Sequence, residues 1–295
     1  MMPLPRMHLS LLGLAHGDAF GETLFAGDAA ARVARRRIAA HRPWRWTDDT
    51  AMALAVVEVL TRHGTIDVEA LMAAFVRRFM DEPQRGYGAA AYNLLMRAGH
   101  GADWRVERQA LFRGQGSFGN GAAMRVAPLG AYFADDLDRV VVEAARSAAP
   151  THAHPEGAAG AIAVAVAAAM AWRCGQGEAT GGLAMLDEVI ALTPPGKVRD
   201  GLVHARGYGL DADPAEVAER LGAGEQITCQ DTVPWCVWLA ARFGGAYEDA
   251  VWTAATPNGD RDTCAAIVGA IVILAAPAGA AAIPVLWRAA TEAVA

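Results

Sequence analysis

The chain has 295 residues, of which 54% are hydrophobic, and its 26 basic and 32 acidic residues give a net charge of -6. This length permits one large domain or two ordinary ones, and the apolar content argues against broad disorder. Nucleic acids and anionic membranes favour basic surfaces, so the acidic balance argues against either as the main partner. We therefore expect a folded protein with no nucleic-acid or membrane partner.

The first 18 residues resemble a signal peptide only faintly, because His16 and Asp18 interrupt a short apolar run. Residues 158–172 and 263–277 are very apolar, but both are shorter than the ~20 residues that span a bilayer. We predict that they are central helices of a buried core.

The four cysteines are Cys174, Cys229, Cys236 and Cys264. They form no CxxC pair, and no histidine lies at zinc-finger spacing from them, so a zinc site is not predicted. A chain this long does not need a disulfide framework. Reduced thiols in the cytoplasm are the expectation.

Helical periodicity dominates the chain. In residues 9–19 and just beyond, Gly13, Gly17 and Gly21 recur every four residues, so one helix face is bare and a second helix can approach closely. Further helices are predicted at 50–62, 66–80, 137–149, 156–173, 181–193, 213–224, 232–244, 247–256, 263–276 and 283–293.

No segment shows the alternation of a strand, so the predicted fold is all-α, with many helices in a single domain over residues 1–295. Glycine-rich connections are predicted at 81–88, 112–128 and 257–262. Long loops in a compact helical domain are usually functional. These connections are therefore candidate parts of an active site.

Two acidic clusters stand directly before apolar helices. They are Thr47, Asp48 and Asp49, and Asp260, Asp262 and Thr263. Capping explains either cluster alone, since a helix N-terminus stabilises a carboxylate by a few tenths to about 1 kcal/mol. A cap needs only one oxygen, however, and crowded carboxylates need a cation or a proton to compensate their charge. If the fold brings the two helix starts together, the oxygens form a site for two Mg²⁺ or Mn²⁺ ions.

Residues 111–130 alternate glycines with polar residues, and such a loop exposes backbone N–H groups that can cradle phosphate. An irregular connection is the alternative. The loop lacks the Gly-Lys-Ser/Thr of a Walker A motif, and no strand precedes it as in a dinucleotide fingerprint. Residues 81–95 form a similar loop that opens onto a helix. His152 and His154 flank a predicted helix start at Pro155, where either structural hydrogen bonding or ligand contact fits.

Together these features resemble the ADP-ribosylglycohydrolase family. The matching segments, in the family's order, are GLAHGDAFG (13–21), WTDDTAMALA (46–55), GSFGNGAAMRVAPLG (116–130), THAHPEGAAGAIAVAVA (151–167) and NGDRDTCAAIVGAI (258–271). RGYGAAA (85–91) is similar to the branch that removes ADP-ribose from serine and cleaves related O-linked bonds, including O-acetyl-ADP-ribose and poly(ADP-ribose).

The resemblance implies a hydrolase that acts on ADP-ribose and ADP-ribosylated proteins with two Mg²⁺ (or Mn²⁺) ions. It implies that the ions are held by Thr47, Asp48, Asp49, Asp260, Asp262 and Thr263, with Asp262 bridging them. Asp48 or Asp49 is then the general base. The implied ligand contacts are Gly116, Ser117, Gly119, Asn120 and Gly121 for the diphosphate and the ribose nearest the cut, Phe112 and Phe118 for adenosine, and Gly86, Gly88 and His152 for the distal ribose.

The sequence departs from the family pattern at two positions. Family members often carry a glutamate four residues after the last glycine of GDxxG, where this chain has Phe25, and the nearest glutamate is Glu22. Either Glu22 substitutes or the acidic gate is missing. Phe118 replaces a tyrosine, which keeps the stacking face and loses the hydroxyl. An arginine-linked ADP-ribose hydrolase and a non-catalytic ADP-ribose-binding protein remain the alternatives.

Overall fold

The computed structural model describes residues 3–294, so Met1, Met2 and Ala295 lie outside the described residues, and with them the start of the segment weighed as a signal peptide. Across residues 3–294 the regular structure is helical, with two isolated β-bridges and no strand, which confirms the all-α prediction.

The α-helices are α1 (Pro3–Glu22), α2 (Ala29–Ala34), α3 (Asp48–His63), α4 (Val68–Asp81), α5 (Ala89–Gly99), α6 (Trp104–Gly114), α7 (Ala127–Tyr132), α8 (Leu137–Ala148), α9 (Pro155–Gly175), α10 (Leu183–Leu192), α11 (Lys197–Gly207), α12 (Pro214–Leu221), α13 (Cys229–Phe243), α14 (Tyr247–Ala254), α15 (Arg261–Ala275) and α16 (Val285–Ala290). Short 3-10 helices cover Thr23–Phe25, Asn120–Ala122 and Gly279–Ala282.

Helices α9 and α15 lie at the centre of the core, as their apolar sequences predict. Every residue from 159 to 172 in α9 and from 263 to 274 in α15 is buried. Helix α9 packs against α7, α8, α10, α13 and α15. By length and composition α9 could also cross a membrane, but 83% of its apolar window is buried inside the protein. All four cysteines are free thiols, and three of them are buried.

The glycine-spaced face of α1 packs against α15, and this contact is the most extensive between two helices in the described chain. A Cβ atom added at Gly13, Gly17 or Gly21 would lie 2.5, 2.2 or 2.5 Å from the carbonyl oxygen of Gly269, Ala265 or Arg261, respectively. No real Cβ fits at such distances, so the two backbones are in direct contact. This contact sets Asp18 beside the first turn of α15.

Four helices, α2, α6, α7 and α11, were not predicted. Helix α6 has no buried residue, so it has no apolar face for periodicity to reveal. Helix α11 buries Val198, Leu202 and Ala205 at helical spacing, and this pattern could have predicted it. The connection predicted at 112–128 instead contains a 3-10 turn and runs into α7.

Candidate active site

Three buried carboxylates from three helices converge at one point. Asp18 of α1, Asp49 of α3 and Asp262 of α15 each offer an oxygen within 4.8 Å of the others. Asp49 is 1% exposed and Asp18 is fully buried. The two helix starts singled out from the sequence therefore do lie together, which was the condition for an oxygen-only cation site.

Helix capping accounts for only one of the six residues in the two acidic clusters. The Oγ1 of Thr47 accepts a hydrogen bond from the backbone N–H of Asp49 at 3.4 Å. Asp260 occupies the N-cap position of α15 but makes no cap hydrogen bond; its Oδ2 accepts from the Asn120 amide at 2.6 Å. Among the described residues, Asp49 Oδ1 and Asp262 Oδ1 are buried without a hydrogen-bond partner. These orphaned oxygens are free to bind a cation.

Asp18 is the one carboxylate of the acidic site that the sequence analysis did not predict. Its Oδ2 accepts from the backbone N–H groups of Thr47 and Thr50 at 2.9 and 3.1 Å. The hydroxyls of the same two threonines donate to its carboxylate at 2.9 and 2.5 Å. Asp18 thus fixes the start of α3. Its signal in the sequence is a lone carboxylate directly after Gly17, within an otherwise apolar helix.

The crowded carboxyl groups resist ionisation. Burial, and next the charge of Asp18, raise the pKa of Asp48 to about 8. Burial and the neighbouring aspartates raise the pKa values of Asp49 and Asp262 well above the usual range. The pKa of Asp18 rises only to about 6, because the hydrogen bonds from Thr50 and Thr47 oppose its burial. Ionising the whole cluster requires a compensating positive charge, and oxygen-only donors suit Mg²⁺ or Mn²⁺.

A cavity of about 620 Å³ opens from the acidic cluster. The four aspartates predicted as metal ligands line it together with Thr263, the loop Ser117 to Gly121, Gly86, Gly88 and His152. A Cβ at Gly86 would lie 4.0 Å from Asp48 Oδ1, so the 86–88 loop approaches the acidic end. Two predicted residues do not line the cavity. Thr47 is buried, with its hydroxyl beside the Asp18 and Asp49 carboxylates. Gly116 packs against Ala153, whose Cβ would lie 2.6 Å from an added Cβ.

Apolar side chains form another part of the cavity wall. The rings of Phe112 and Phe118 lie 6.0 Å apart between centroids. Phe112 is 52% exposed with φ at 52°, and Ile227 is 61% exposed with φ at 55°. Bulky residues rarely adopt positive φ, and such strain persists only where the surroundings impose it. The two rings are tilted by 37°, and with Ile227 they present an apolar surface of the kind that binds an aromatic base. The part played by Ile227 was not predicted.

The two histidines have different surroundings. His154 caps α9, because its Nδ1 accepts from the backbone N–H of Glu156 at 3.1 Å. His152 is buried, and its Nδ1 lies 2.7 Å from Thr151 Oγ1. Burial lowers the pKa of His152 to about 3, with the charge of Arg125 adding to this and a backbone hydrogen bond with Gly119 opposing it. His152 is therefore neutral throughout the physiological range.

An ion-pair network fixes the segments that precede Thr47 and Gly86. The Arg85 guanidinium lies 3.4 Å above the Trp46 ring, donates to the Trp46 carbonyl at 3.0 Å, and pairs with Glu292. The backbone N–H of Trp46 also donates to Glu292, at 2.9 Å. A glutamate far along the chain therefore ties the first acidic cluster to the 86–88 loop.

The two residues weighed for the acidic gate also differ in position. Phe25 is 55% exposed and lies in the 3-10 turn after α1. Burial raises the pKa of Glu22, and the charge of Glu22 is one of the causes that raise the pKa of Asp262. Glu22 is therefore the carboxylate that reaches the acidic cluster electrostatically.

The family model described as ADP-ribosylglycohydrolase matches residues 3–294. The chain is 38% identical to ADP-ribosylhydrolase ARH3 from Gallus gallus and 37% identical to ARH3 from Homo sapiens, over 128 residues in each case. Each match covers 43% of this chain and 35% of the relative, so it spans about a third of the length of these relatives.

Two further similarities cover most of the chain. An uncharacterized protein from Archaeoglobus fulgidus is 30% identical over 267 residues, which are 86% of this chain and 82% of that protein. A solved structure described as an ADP-ribosylglycohydrolase-related protein complex superposes with a TM-score of 0.69 at 24% identity, covering 98% of this chain and 93% of that one. The structural similarity supports the fold.

Proposed function

Because the chain belongs to the ADP-ribosylglycohydrolase family, we propose that it hydrolyses the bond between the anomeric carbon of ADP-ribose and an O-linked acceptor such as serine. One observation carries the proposal: the acidic cluster and the glycine-rich, aromatic loop share one cavity of about 620 Å³. Small-molecule sites typically have about 300–1,000 Å³. The relatives named ADP-ribosylhydrolase, which match over part of their length, support the same reaction class.

The proposed cofactor is a pair of Mg²⁺ or Mn²⁺ ions. Thr47, Asp48, Asp49, Asp260, Asp262 and Thr263 would hold them. When bound, the metal pair supplies positive charge that stabilises developing negative charge and makes a water more acidic. Asp18 takes a different part, since its oxygens already accept from Thr47 and Thr50. Its proposed role is to orient the first acidic cluster, which is Thr47, Asp48 and Asp49.

Asp48 is the better general base of the two adjacent aspartates. Both line the cavity, but Asp48 is partly exposed. Asp49 is only 1% exposed, and the Thr47 hydroxyl lies 3.0 Å from its Oδ2. Asp48 accordingly takes the proton of the attacking water, as oxocarbenium character develops on the sugar.

The rest of the cavity wall binds and orients the ligand. The loop from Ser117 to Gly121 holds the diphosphate, although the N–H groups of Gly119 and Asn120 already donate to Ser117 Oγ and the Ile227 carbonyl. Phe112 and Phe118 contact the adenine. Asn120 is held in place by Asp260 and by Thr232 Oγ1, the latter at 3.1 Å. Glu22 supplies the acidic group that the exposed Phe25 cannot supply.

A panel of ADP-ribose linkages tests the proposal. Serine-linked and arginine-linked ADP-ribosyl peptides are incubated with the protein, with Mg²⁺ and then with EDTA, and released ADP-ribose is quantified. We expect Mg²⁺-dependent release from the serine-linked peptide. D48N should lose this activity, whereas D67N should keep it, because Asp67 is a capping aspartate at the exposed start of α4.

Each alternative has its own outcome in the same panel. Faster turnover of the arginine-linked peptide would identify an arginine-linked ADP-ribose hydrolase instead. Tight ADP-ribose binding without release from any linkage would identify a binding protein. Undiminished activity in EDTA would overturn the metal-dependent mechanism.

A further inference from the structure

Arg125 is a fully buried cation without a carboxylate partner among the described residues. It is 0% exposed, and its guanidinium lies 4.4 Å from the centroid of the Phe75 ring. One terminal nitrogen donates to the Ser147 carbonyl at 2.8 Å and to Thr151 Oγ1 at 2.9 Å. Buried charges are normally paired, since burying a lone charge is costly. A residue kept in this state without a carboxylate partner invites a functional explanation.

The hydrogen bonds around Thr151 indicate which nitrogen of the His152 ring carries the proton. A guanidinium can only donate, so the Thr151 oxygen is an acceptor toward Arg125. Among the described residues, His152 Nδ1 at 2.7 Å is the one acceptor within reach of the buried Thr151 hydroxyl, so the hydroxyl proton is directed to it. Nδ1 must accept this bond. In a neutral imidazole the ring proton then resides on Nε2.

The protonated Nε2 faces the glycine-rich loop. It lies 3.9 Å from the position that a Cβ atom would take at Gly119 and 3.8 Å from that at Gly121. The backbone of Gly119 also raises the pKa of His152, as a carbonyl oxygen facing the ring does, so this N–H points toward the Gly119 carbonyl. The ring nitrogen therefore lies against the part of the loop that lines the cavity.

We propose that Arg125 and Thr151 are positioning residues that hold His152 as an Nε2–H donor, which fixes the Gly119–Gly121 segment for binding the diphosphate of the ligand. The assignment of the ligand rests on the proposed function, whereas the proton position on His152 does not. Because this segment is proposed to hold the diphosphate rather than the reacting atoms, losing this order should raise KM more than it lowers kcat.

The proton position is measured first, in the absence of ligand. A long-range ¹H–¹⁵N spectrum of protein labelled at histidine distinguishes protonated from unprotonated ring nitrogens, and H152N identifies the His152 signals among the eight histidines. We expect protonated Nε2 and unprotonated Nδ1 in the wild type and in T151S, which keeps the hydroxyl. T151V removes the hydroxyl without changing the side-chain shape, and we expect a mixture of tautomers.

Ligand binding is measured next, with ADP-ribose as the titrant. One neutral hydrogen bond corresponds to about a three- to tenfold change in affinity. We expect T151V to raise the Kd for ADP-ribose by that factor and T151S to restore it. T193V is the matched control, because Thr193 is also buried and its hydroxyl donates to Val189 of α10. It should change neither the tautomer nor the Kd.

Two results would overturn the inference. One is a His152 ring protonated at Nδ1 in the wild-type protein. The other is a folded T151V protein with an unchanged tautomer and an unchanged Kd. If ADP-ribose fails to bind the wild type while Nε2 carries the proton, the proposed function fails and the positioning of His152 stands.

Discussion

The two ends of the cavity are built in opposite ways. At the acidic end, the carboxylates stand on α1, α3 and α15, which belong to the buried core, and Asp18 and Asp49 are almost fully buried. At the aromatic end, Phe112 lies in the non-helical last turn of α6 and Ile227 in the connection before α13. Both are more than half exposed and have positive φ angles. Core helices hold the groups proposed for chemistry, whereas strained, exposed segments hold those proposed for recognition.

This difference predicts how each end responds to change. At the acidic end, electrostatic repulsion opposes folding unless a proton or cation compensates it, so function and stability conflict. At the aromatic end, exposed side chains contribute little to the core, so substitutions there should change affinity with little effect on stability. The largest effects are therefore expected from variants of the acidic end and the smallest from variants of the aromatic end.

Substituting Asn for Asp262 should separate function from stability at the acidic end. D262N removes one proposed ligand, and we expect hydrolysis to fall by more than about a hundredfold, beyond the typical loss for residues that only support a metal ligand. The same change relieves repulsion with Asp260 and Asp18, so the metal-free protein should melt at a higher temperature. Activity assays and calorimetry with EDTA measure both. A D262N protein that is active and less stable would contradict the conflict between function and stability at the acidic end.

The stability of the metal-free protein should depend on pH in a defined direction. The pKa of Asp48 is raised from 3.8 to about 8 in the folded state, so the folded state binds its proton more tightly than the unfolded state does. This contribution to stability is fully present below pH 3.8 and is lost as pH rises toward 8. Tm in EDTA should therefore fall across this range.

Added Mg²⁺ should reverse that loss, because it compensates the ionised cluster and binds only the folded state. The rise in Tm caused by Mg²⁺ should be larger near pH 8, where Asp48 ionises, than in acid. Calorimetric scans under both conditions, with and without Mg²⁺, measure it. An equal rise in Tm at the two pH values would mean that Mg²⁺ does not act by compensating the charge of the acidic cluster.

Replacing Gly17 by alanine tests how the acidic end depends on backbone packing. The added Cβ would lie 2.2 Å from the Ala265 carbonyl oxygen, so α1 and α15 must separate. We expect a loss of about 1–3 kcal/mol in the free energy of unfolding. Urea denaturation measures this loss. Gly27 has no atom within 4 Å of an added Cβ, and G27A should unfold like the wild type.

At the aromatic end, F118A should weaken ADP-ribose binding while Tm stays nearly unchanged. A base stacked on an aromatic ring contributes about 1–3 kcal/mol. F118Y retains the ring and should retain the affinity. Calorimetric titration with ADP-ribose measures both variants. A large fall in Tm with unchanged affinity would assign Phe118 to the core rather than to the ligand.

Local rules were enough to predict most of the helices and four of the five carboxylates of the acidic site. Apolar periodicity predicted the helices, and the capping rule left surplus oxygens at Asp48, Asp49 and Asp262, which the structure brings together. Partners that only the tertiary fold creates could not be predicted. Asp18 acquires its role from the contact of α1 with α3. Arg85 meets Glu292 across 207 positions of the chain, a pairing that no local pattern encodes.

Backbone conformation was the second limit of the sequence prediction. The alternation of glycines predicted a ligand loop, but it did not show that Gly116 faces Ala153 while Gly119 and Gly121 face the cavity. Nor did it indicate the positive φ angles of Phe112 and Ile227, since these residue types rarely adopt them. Both features depend on segments that are distant in the sequence.

The glycine contact between α1 and α15 has a consequence for how cation selectivity can change. Successive contacts pair residues 13, 17 and 21 with 269, 265 and 261, so both helices advance by four residues at each step. Two helices locked in this register cannot slide, and Asp18 and Asp262 inherit their separation from main-chain contact. The distance between Asp262 and the first cluster, which Asp18 orients, can therefore change through substitutions at glycines that carry no functional group, and the preferred ionic radius would change with it.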